Sequence, residues 1–292
     1  MTSTQRVAPR KRWTTGRVLR RLPWWIAALL LLGGAFLWIY PFIWMISASL
    51  KTQLDIFGSG LSLIPEEFAW DNYSRAWNEA NFSTYTWNTV VVTVCTVILV
   101  VFRCALAGYA IGRFNFPGKK PVMVVLIATF FVPVGYTIIP VVEISQQLGL
   151  LNSLTGMIVA MAGGGQVAAI LLYAGYFRQI PKELEESALV DGAGFFTTLF
   201  RIMFPLAMPI TATVTLLTFL GTWNNFFLPL IFSLSRPDLR TLSVGMRAFV
   251  GQNTTDWSGM AAAATISLVP LIVLFVLLQR HFVNGFAGAI KQ

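Results

Sequence analysis

Apolar residues concentrate in six runs of this chain, at about 24–46, 87–111, 121–142, 154–177, 205–232 and 260–278. A helix needs about 17–25 such residues to cross a bilayer, so every run is long enough to span. Several runs carry their own interruptions: Gly33-Gly34 and Pro41 in the first, Pro133 and Pro140 in the third, Gly163-Gly164-Gly165 in the fourth. The pattern predicts an all-α polytopic membrane protein with six transmembrane helices. No self-similar period of about 20–50 residues recurs, which argues against a repeat solenoid. Nor do matched broken helices divide the chain into two halves, as they do in many secondary transporters.

Charge then orients the bundle. The sequence is 56% hydrophobic and 11% charged, where a soluble domain is about 25% charged. Arg6, Arg10, Lys11, Arg12, Arg17, Arg20 and Arg21 all precede the first run. By the positive-inside rule they hold the N-terminus in the cytoplasm, and six crossings return the C-terminus there. On that topology fifteen Lys and Arg lie inside and five outside. An amphipathic arm on anionic lipid is the alternative for the tail. The net charge of +9 does not point to nucleic acid, because no recognisable nucleic-acid-binding fold accompanies it. Ser47-Ala48-Ser49 faintly resembles a signal cleavage site, yet the run before it exceeds the ~7–15 residues of a signal h-region. The first run reads as a retained anchor. The chain thus divides into a basic cytoplasmic tail (1–23), a first transmembrane helix (24–46) and an outer loop (47–86). A core of five further transmembrane helices follows (87–281), with a cytoplasmic loop at about 178–204, and a cytoplasmic tail closes the chain (282–292). The outer loop is acidic and carries Phe68, Trp70, Tyr73, Trp77 and Phe82. Such aromatics suit a membrane interface or a docking surface for an external protein.

The inner loop at 178–204 holds the most informative stretch. Pro181 suits the first position of a short helix, where its missing N–H is no loss. Leu184 and Ala188 fall on one face with Leu189 beside them, and Glu183, Glu185 and Glu186 lie around the rest. Asp191-Gly192-Ala193-Gly194 breaks the helix, and a second amphipathic piece runs from Phe195 to Met203. The spacing Glu186-Ser187-Ala188, three residues, Gly192, nine residues, Ile202, one residue, Phe204-Pro205 resembles the EAA loop of ABC-importer permeases. That family pattern reads Glu-Ala-Ala, three residues, Gly, nine residues, Ile, one residue, Leu-Pro, so Ser187 and Phe204 are departures. Ala107-Gly-Tyr-Ala-Ile-Gly-Arg113, Phe116-Pro-Gly-Lys119, Trp223-Asn-Asn-Phe-Phe-Leu-Pro229, Thr241-Leu-Ser-Val-Gly245 and Gln279-Arg-His-Phe-Val-Asn-Gly285 are similar to stretches of carbohydrate-importer permeases. The likeness is to the smaller permease of the maltose-transporter type.

That resemblance implies the type I ABC-importer permease fold in the cell membrane, and import of a sugar or sugar-like solute by alternating access. It implies a coupling helix in which Glu183, Leu184, Glu186, Ser187, Ala188, Asp191, Gly192 and Ala193 meet an ATPase. The implied partners are a second permease subunit, an ABC ATPase dimer that binds ATP and Mg²⁺, and an extracytoplasmic solute-binding protein. Without the resemblance, the same stretch would read as a juxtamembrane helix lying on lipid. Glycerophosphodiester or polyamine import, or ion-coupled carriage by the chain alone, are the alternatives.

Enzyme chemistry finds no footing. Gly112 and Gly118-Lys119-Lys120 lack the spacing and the Ser or Thr of a phosphate loop, and Ala162-Gly-Gly-Gly-Gln166 lies within a span. Cys95 and Cys104 sit nine residues apart on one predicted helix, about 13 Å, beyond disulfide reach. One histidine, His281, with two distant cysteines makes no dedicated zinc site. The chain is therefore expected to hold no cofactor or metal and to catalyse no reaction. Within the spans Arg103 is a deep charge, expected to snorkel toward the inner surface or to pair. Glu143 sits at the outer edge. Thr211, Thr215, Thr218, Thr222 and Asn225 recur every three or four residues along the fifth run, one helical face. Such a stripe faces a partner helix or a wet path. With Asn224 it is the candidate translocation path, and Trp223 adds a ring of the kind that stacks on sugars.

Overall fold

The computed structural model describes residues 16–58, 60, 62–78, 81–164, 166–251 and 254–289. The tail residues Arg6, Arg10, Lys11 and Arg12, together with Gly165 and Lys291, lie outside the described residues. Among those described, the chain is helical apart from loops and one isolated antiparallel bridge between Val250 and Thr255. The elements run α1 (Gly16–Ala48), α2 (Gln53–Gly58), α3 (Asp71–Asn78), α4 (Phe82–Arg113), α5 (Lys119–Ala128), α6 (Ile138–Gln147), α7 (Leu154–Gly163) and α8 (Val167–Gln179). They continue with α9 (Glu183–Val190), α10 (Phe195–Thr197), a π-helical turn (Thr198–Met203), α11 (Phe204–Leu206), α12 (Met208–Trp223), α13 (Phe227–Phe232), α14 (Leu242–Gly245) and α15 (Trp257–Ala289).

Three stretches are long and apolar enough to cross a bilayer as continuous helices: Ile26–Ala48, Phe82–Arg113 and Trp257–Gln279. Three further stretches form bent pairs, two within the third and fourth apolar runs and one that joins the inner loop to the fifth. Lys119–Phe131 meets Gly135–Gln147 at 100°, Leu154–Gly163 meets Val167–Gln179 at 55°, and Phe195–Leu206 meets Met208–Trp223 at 76°. Counted as one span each, they complete the predicted six. Proline accounts for two of the breaks. Val132 is extended ahead of Pro133, as the ring of a following proline demands. Pro209 lies in the first turn of α12, so the ladder lacks the donor that would serve the Pro205 carbonyl. Pro140, expected to interrupt, lies in the first turn of α6, where proline is tolerated. The fifth run, read as one piece from 205 to 232, ends its helix at Trp223 and restarts at Phe227.

The long α4 is the axis of the bundle, packed against α7, α8, α12 and α14, while α15 packs against α1, α3 and α12. Lipid tails are as apolar as leucine, so close van der Waals fit must hold such helices together. At α4–α8 that fit depends on glycine. A Cβ on Gly108 would collide with the Tyr173 side chain, and one on Gly112 would lie 2.8 Å from the Ala174 carbonyl oxygen. Val100, Cys104, Tyr109, Tyr173, Phe177, Leu199, Met203 and Val214 form the core around this seam. Both cysteines are free thiols. At the far end of α4 a second cluster joins Ala76, Phe82, Tyr85, Trp223, Leu242, Phe249 and Ala262. There the loop between α1 and α4 is fastened down. Arg75 pairs with Asp256 at 3.2 Å, Gln53 accepts from the Trp257 N–H at 3.0 Å, and Asn72 donates to the carbonyls of Ser49 and Lys51.

Gly108→Ala and Gly112→Ala should each push α4 from α8, at about 1–3 kcal/mol of overpacking. Gly175, on the same α8 but with open space around its Cβ position, should accept alanine without loss. Thermal unfolding of the detergent-purified protein distinguishes the three variants.

Candidate functional site

The short helix α9 starts at Glu183, with Lys182 as its N-cap residue. Pro181 therefore lies ahead of the cap and not at the first helical position, a two-residue shift from the sequence reading. Glu183, Glu185 and Glu186 fill the first turn, where the helix dipole favours negative charge. The helix stops by a Schellman closure: the Ala193 N–H donates to the Ala188 carbonyl at 2.9 Å and the Gly192 N–H to that of Leu189 at 3.0 Å. Such a closure places its penultimate residue in the left-handed region. That residue is Gly192, at φ 80°. Gly194 then returns to extended backbone, and α10 and the π-helical turn lead into α12.

Only part of the predicted docking set faces outward. Glu183, Leu184, Glu186, Ser187, Asp191 and Gly192 are exposed, Ala193 is half-buried and Ala188 is buried. Leu184 and Ala188 were expected to share one helical face. Leu184 is 42% exposed whereas Ala188 is 5% exposed, so Ala188 alone seats the helix on the bundle. Leu189 and Val190 project at 66% and 87% exposure, and Phe196 is exposed beside them in sequence. Large apolar side chains this open mark a contact surface.

Glu185 belongs to a different arrangement, one that periodicity did not reveal. Its carboxylate accepts from the Tyr109 hydroxyl at 2.9 Å and from Nε and Nη2 of Arg113, each at 2.9 Å. Arg113 also donates through Nη1 to the carbonyls of Phe177 and Ile180, at 3.2 and 2.8 Å, and through Nη2 to that of Pro181 at 3.3 Å. A guanidinium has five N–H donors, and all five are engaged here. The Arg113 side chain is 4% exposed. Tyr109 packs edge-on against Phe114 and Phe177 and tilted against Phe195. One local clue existed, a basic residue closing a long span, but its acidic partner lies 72 positions away.

The predicted path residues are distributed differently. Thr211, Thr218 and Thr222 are buried within the chain and Thr215 is half-buried. Thr211 accepts from the Tyr173 hydroxyl at 3.0 Å and donates to the Ala207 carbonyl. Asn224 is exposed, and its amide donates to the Leu220 carbonyl. Asn225 lies past the end of α12 and accepts from the Leu228 N–H at 3.3 Å, capping α13. It is therefore not on the threonine face, because the helical period stops at Trp223. Trp223 is itself buried against Phe219, with its indole N–H donated to the Ser267 carbonyl, so its ring is not open to a solute. Arg103 is exposed on the surface of the chain. It reaches the carbonyls of Gly163 and Gly164 at 3.5 and 3.4 Å, where α7 breaks off from α8. Among the described residues no three His, Cys, Asp or Glu side chains gather as a metal site.

Comparison with known proteins places this geometry. Residues 104–287 match the family described as the binding-protein-dependent transport system inner membrane component. The chain belongs to that family. A probable ABC transporter permease of Bacillus subtilis strain 168, YurM, is 36% identical over 97% of this chain and 91% of its own length. The diacetylchitobiose uptake system permease NgcG of Streptomyces coelicolor is 33% identical over 91% of this chain and 86% of its own. The melibiose/raffinose/stachyose import permease MelC of B. subtilis is 32% identical over 86% and 91%. A solved bacterial ABC transporter involved in import of the acidic polysaccharide alginate has a chain that superposes with TM-score 0.78 at 24% identity, covering 90% of this chain and 97% of that one. As an inner-membrane component, the protein is a multi-pass permease with the type I fold.

In this inner-membrane component Gly192→Val should be worse than Gly192→Asn. Both residues meet open space, but a β-branched side chain resists the left-handed region, at about 1–2 kcal/mol, while Asn tolerates it. Uptake by cells carrying each variant should fall in that order, with membrane levels unchanged.

Proposed function

We propose that this chain is the transmembrane permease subunit of an ATP-driven importer for a sugar or sugar-like solute, with both termini in the cytosol. The observation that carries the proposal is α9: a short helix exposing Leu189 and Val190 beyond the bundle, closed by a glycine, in a chain of an importer family. Sugar as the solute class is supported by relatives named for diacetylchitobiose and for melibiose, raffinose and stachyose. Another solute on the same machinery is the second reading, because a relative in Synechocystis, 28% identical, is named for uptake of osmoprotective compounds.

On this reading the chain pairs with a second permease, and ATP and Mg²⁺ are held by a separate ATPase dimer. A solute-binding protein delivers cargo at the outer face, near the fastened loop between α1 and α4. Glu183, Leu184, Glu186, Ser187, Asp191 and Gly192 dock on the ATPase, with Ala188 and Ala193 setting the helix against the bundle. Differential contact of α9 with the open and closed ATPase shifts the spans between inward and outward access. Thr215, Thr218 and Thr222, with Asn224 at the end of α12, line the route.

Uptake into proteoliposomes of the complete complex should require ATP and persist with an ionophore. Carriage by this chain alone, driven by an ion gradient, would overturn the reading. Leu189→Asp with Val190→Asp should release the ATPase on purification while leaving the two permeases paired. Thr218→Leu and Thr222→Leu should raise the KM for solute, by severalfold, with the complex intact. Unaltered uptake kinetics would remove α12 from the route.

A further inference from the structure

The loop carrying α9 is attached unequally to the spans on its two sides. Upstream, Ile180, Pro181 and Lys182 join it to α8, and Arg113 grips that joint through the carbonyls of Phe177, Ile180 and Pro181. These acceptors lie at and just past a helix C-terminus, where carbonyls run short of intrahelical donors. The same guanidinium holds Glu185 on α9, and Tyr109 holds the other oxygen of that carboxylate. Downstream, the chain passes through Gly192 at φ 80°, Gly194, and a π-helical turn from Thr198 to Met203. Single π-helical turns recur at functional sites, and this one buries Leu199 and Met203 in the core beside Tyr109 and Phe177.

We propose that Arg113 and Glu185 are positioning residues that lock α9, α8 and α4 into one moving block, so that ATPase motion reaches α4 directly. This deepens the coupling reading of α9 and rests on it. The chain offers α4 no other covalent neighbour in the loop, since α9 begins 70 residues after Arg113. Yet α4 is the helix against which α7, α8, α12 and α14 all pack, so moving it moves the bundle. A buried, fully satisfied guanidinium suits this task because each of its five donors has a fixed direction. Lysine has three donors and no planar fork. The ionised carboxylate accepts on both oxygens, whereas the amide of Gln must turn an NH₂ toward either Tyr109 or Arg113.

The test uses the complete complex in lipid, with nitroxide labels at Asn115→Cys, beyond α4, and Lys182→Cys, before α9, after both native cysteines are replaced. With Arg113 and Glu185 intact, the label separation should be a single distance that is the same with and without ATP-Mg. Glu185→Gln and, separately, Arg113→Lys should show that same distance without nucleotide and a second, longer one when ATP-Mg is added. ATPase should still co-purify with both variants. One unchanged distance in Glu185→Gln under ATP-Mg would overturn the proposal. So would a second distance already present without nucleotide, since the pair would then be a folding contact. If Arg113→Lys does not assemble, Glu185→Gln decides, because it keeps size and shape. ATPase retained on Leu189→Asp with Val190→Asp would instead sink the docking role of α9, an outcome separate from any result for the pair.

Discussion

The close approach of α4 to α8 is the constraint from which the rest of the bundle follows. In lipid, no expulsion of water rewards helix contact, so association must come from atomic fit and from polar groups satisfied across the seam. Gly108 and Gly112 bring the two backbones together over Tyr173, Ala174 and Phe177. That approach places the end of α4 beside the exit of α8, and Arg113 then finds three main-chain carbonyls and a carboxylate within reach. Spread the helices by one methyl group and the guanidinium would lose partners while still shielded from water. Packing and electrostatics at this corner are one arrangement.

Broken helices are the second theme. Continuous spans would offer the bundle no place to bend, and three of the six candidate spans are bent by 55° to 100°. Each break exposes main-chain groups that hydrocarbon cannot satisfy. The protein answers locally. Arg103 reaches the carbonyls at the end of α7, and Asn225 caps α13 after the break in the fifth run. A charge at this depth is costly to bury, and two carbonyl acceptors at a negative helix end offset part of that cost.

The two ends of α4 are built differently, and the difference matches the work proposed for each. Around Phe82, Tyr85 and Trp223 the contacts are aromatic and close-packed, and Arg75, Gln53 and Asp256 tie the connecting loop to the start of α15. Around Arg113 the contacts are ionic and directional, and the attached helix carries exposed Leu189 and Val190. In the proposed coupling, the rigid cap at one end and the gripped helix at the other are what carry a displacement of α9 along α4.

By itself the sequence determined what depends on local order. Runs of apolar residues set the candidate crossings, Pro133 set one of the breaks, and the Asp191-Gly192 stop ended α9, because each acts through its own backbone neighbours. The spacing from Glu186 to Pro205 named the family for the same reason. What tertiary structure decided was everything that needs two distant stretches at once. Glu185 looks like any other glutamate in its helix until Arg113 arrives from another span, and Trp223 looks like a sugar platform until α15 covers it. The threonine stripe on α12 is legible as a face, but burial of Thr211 against Tyr173 depends on where α8 lies. Periodicity fixes which side chains share a side. Which neighbour that side meets is settled by the fit of whole helices.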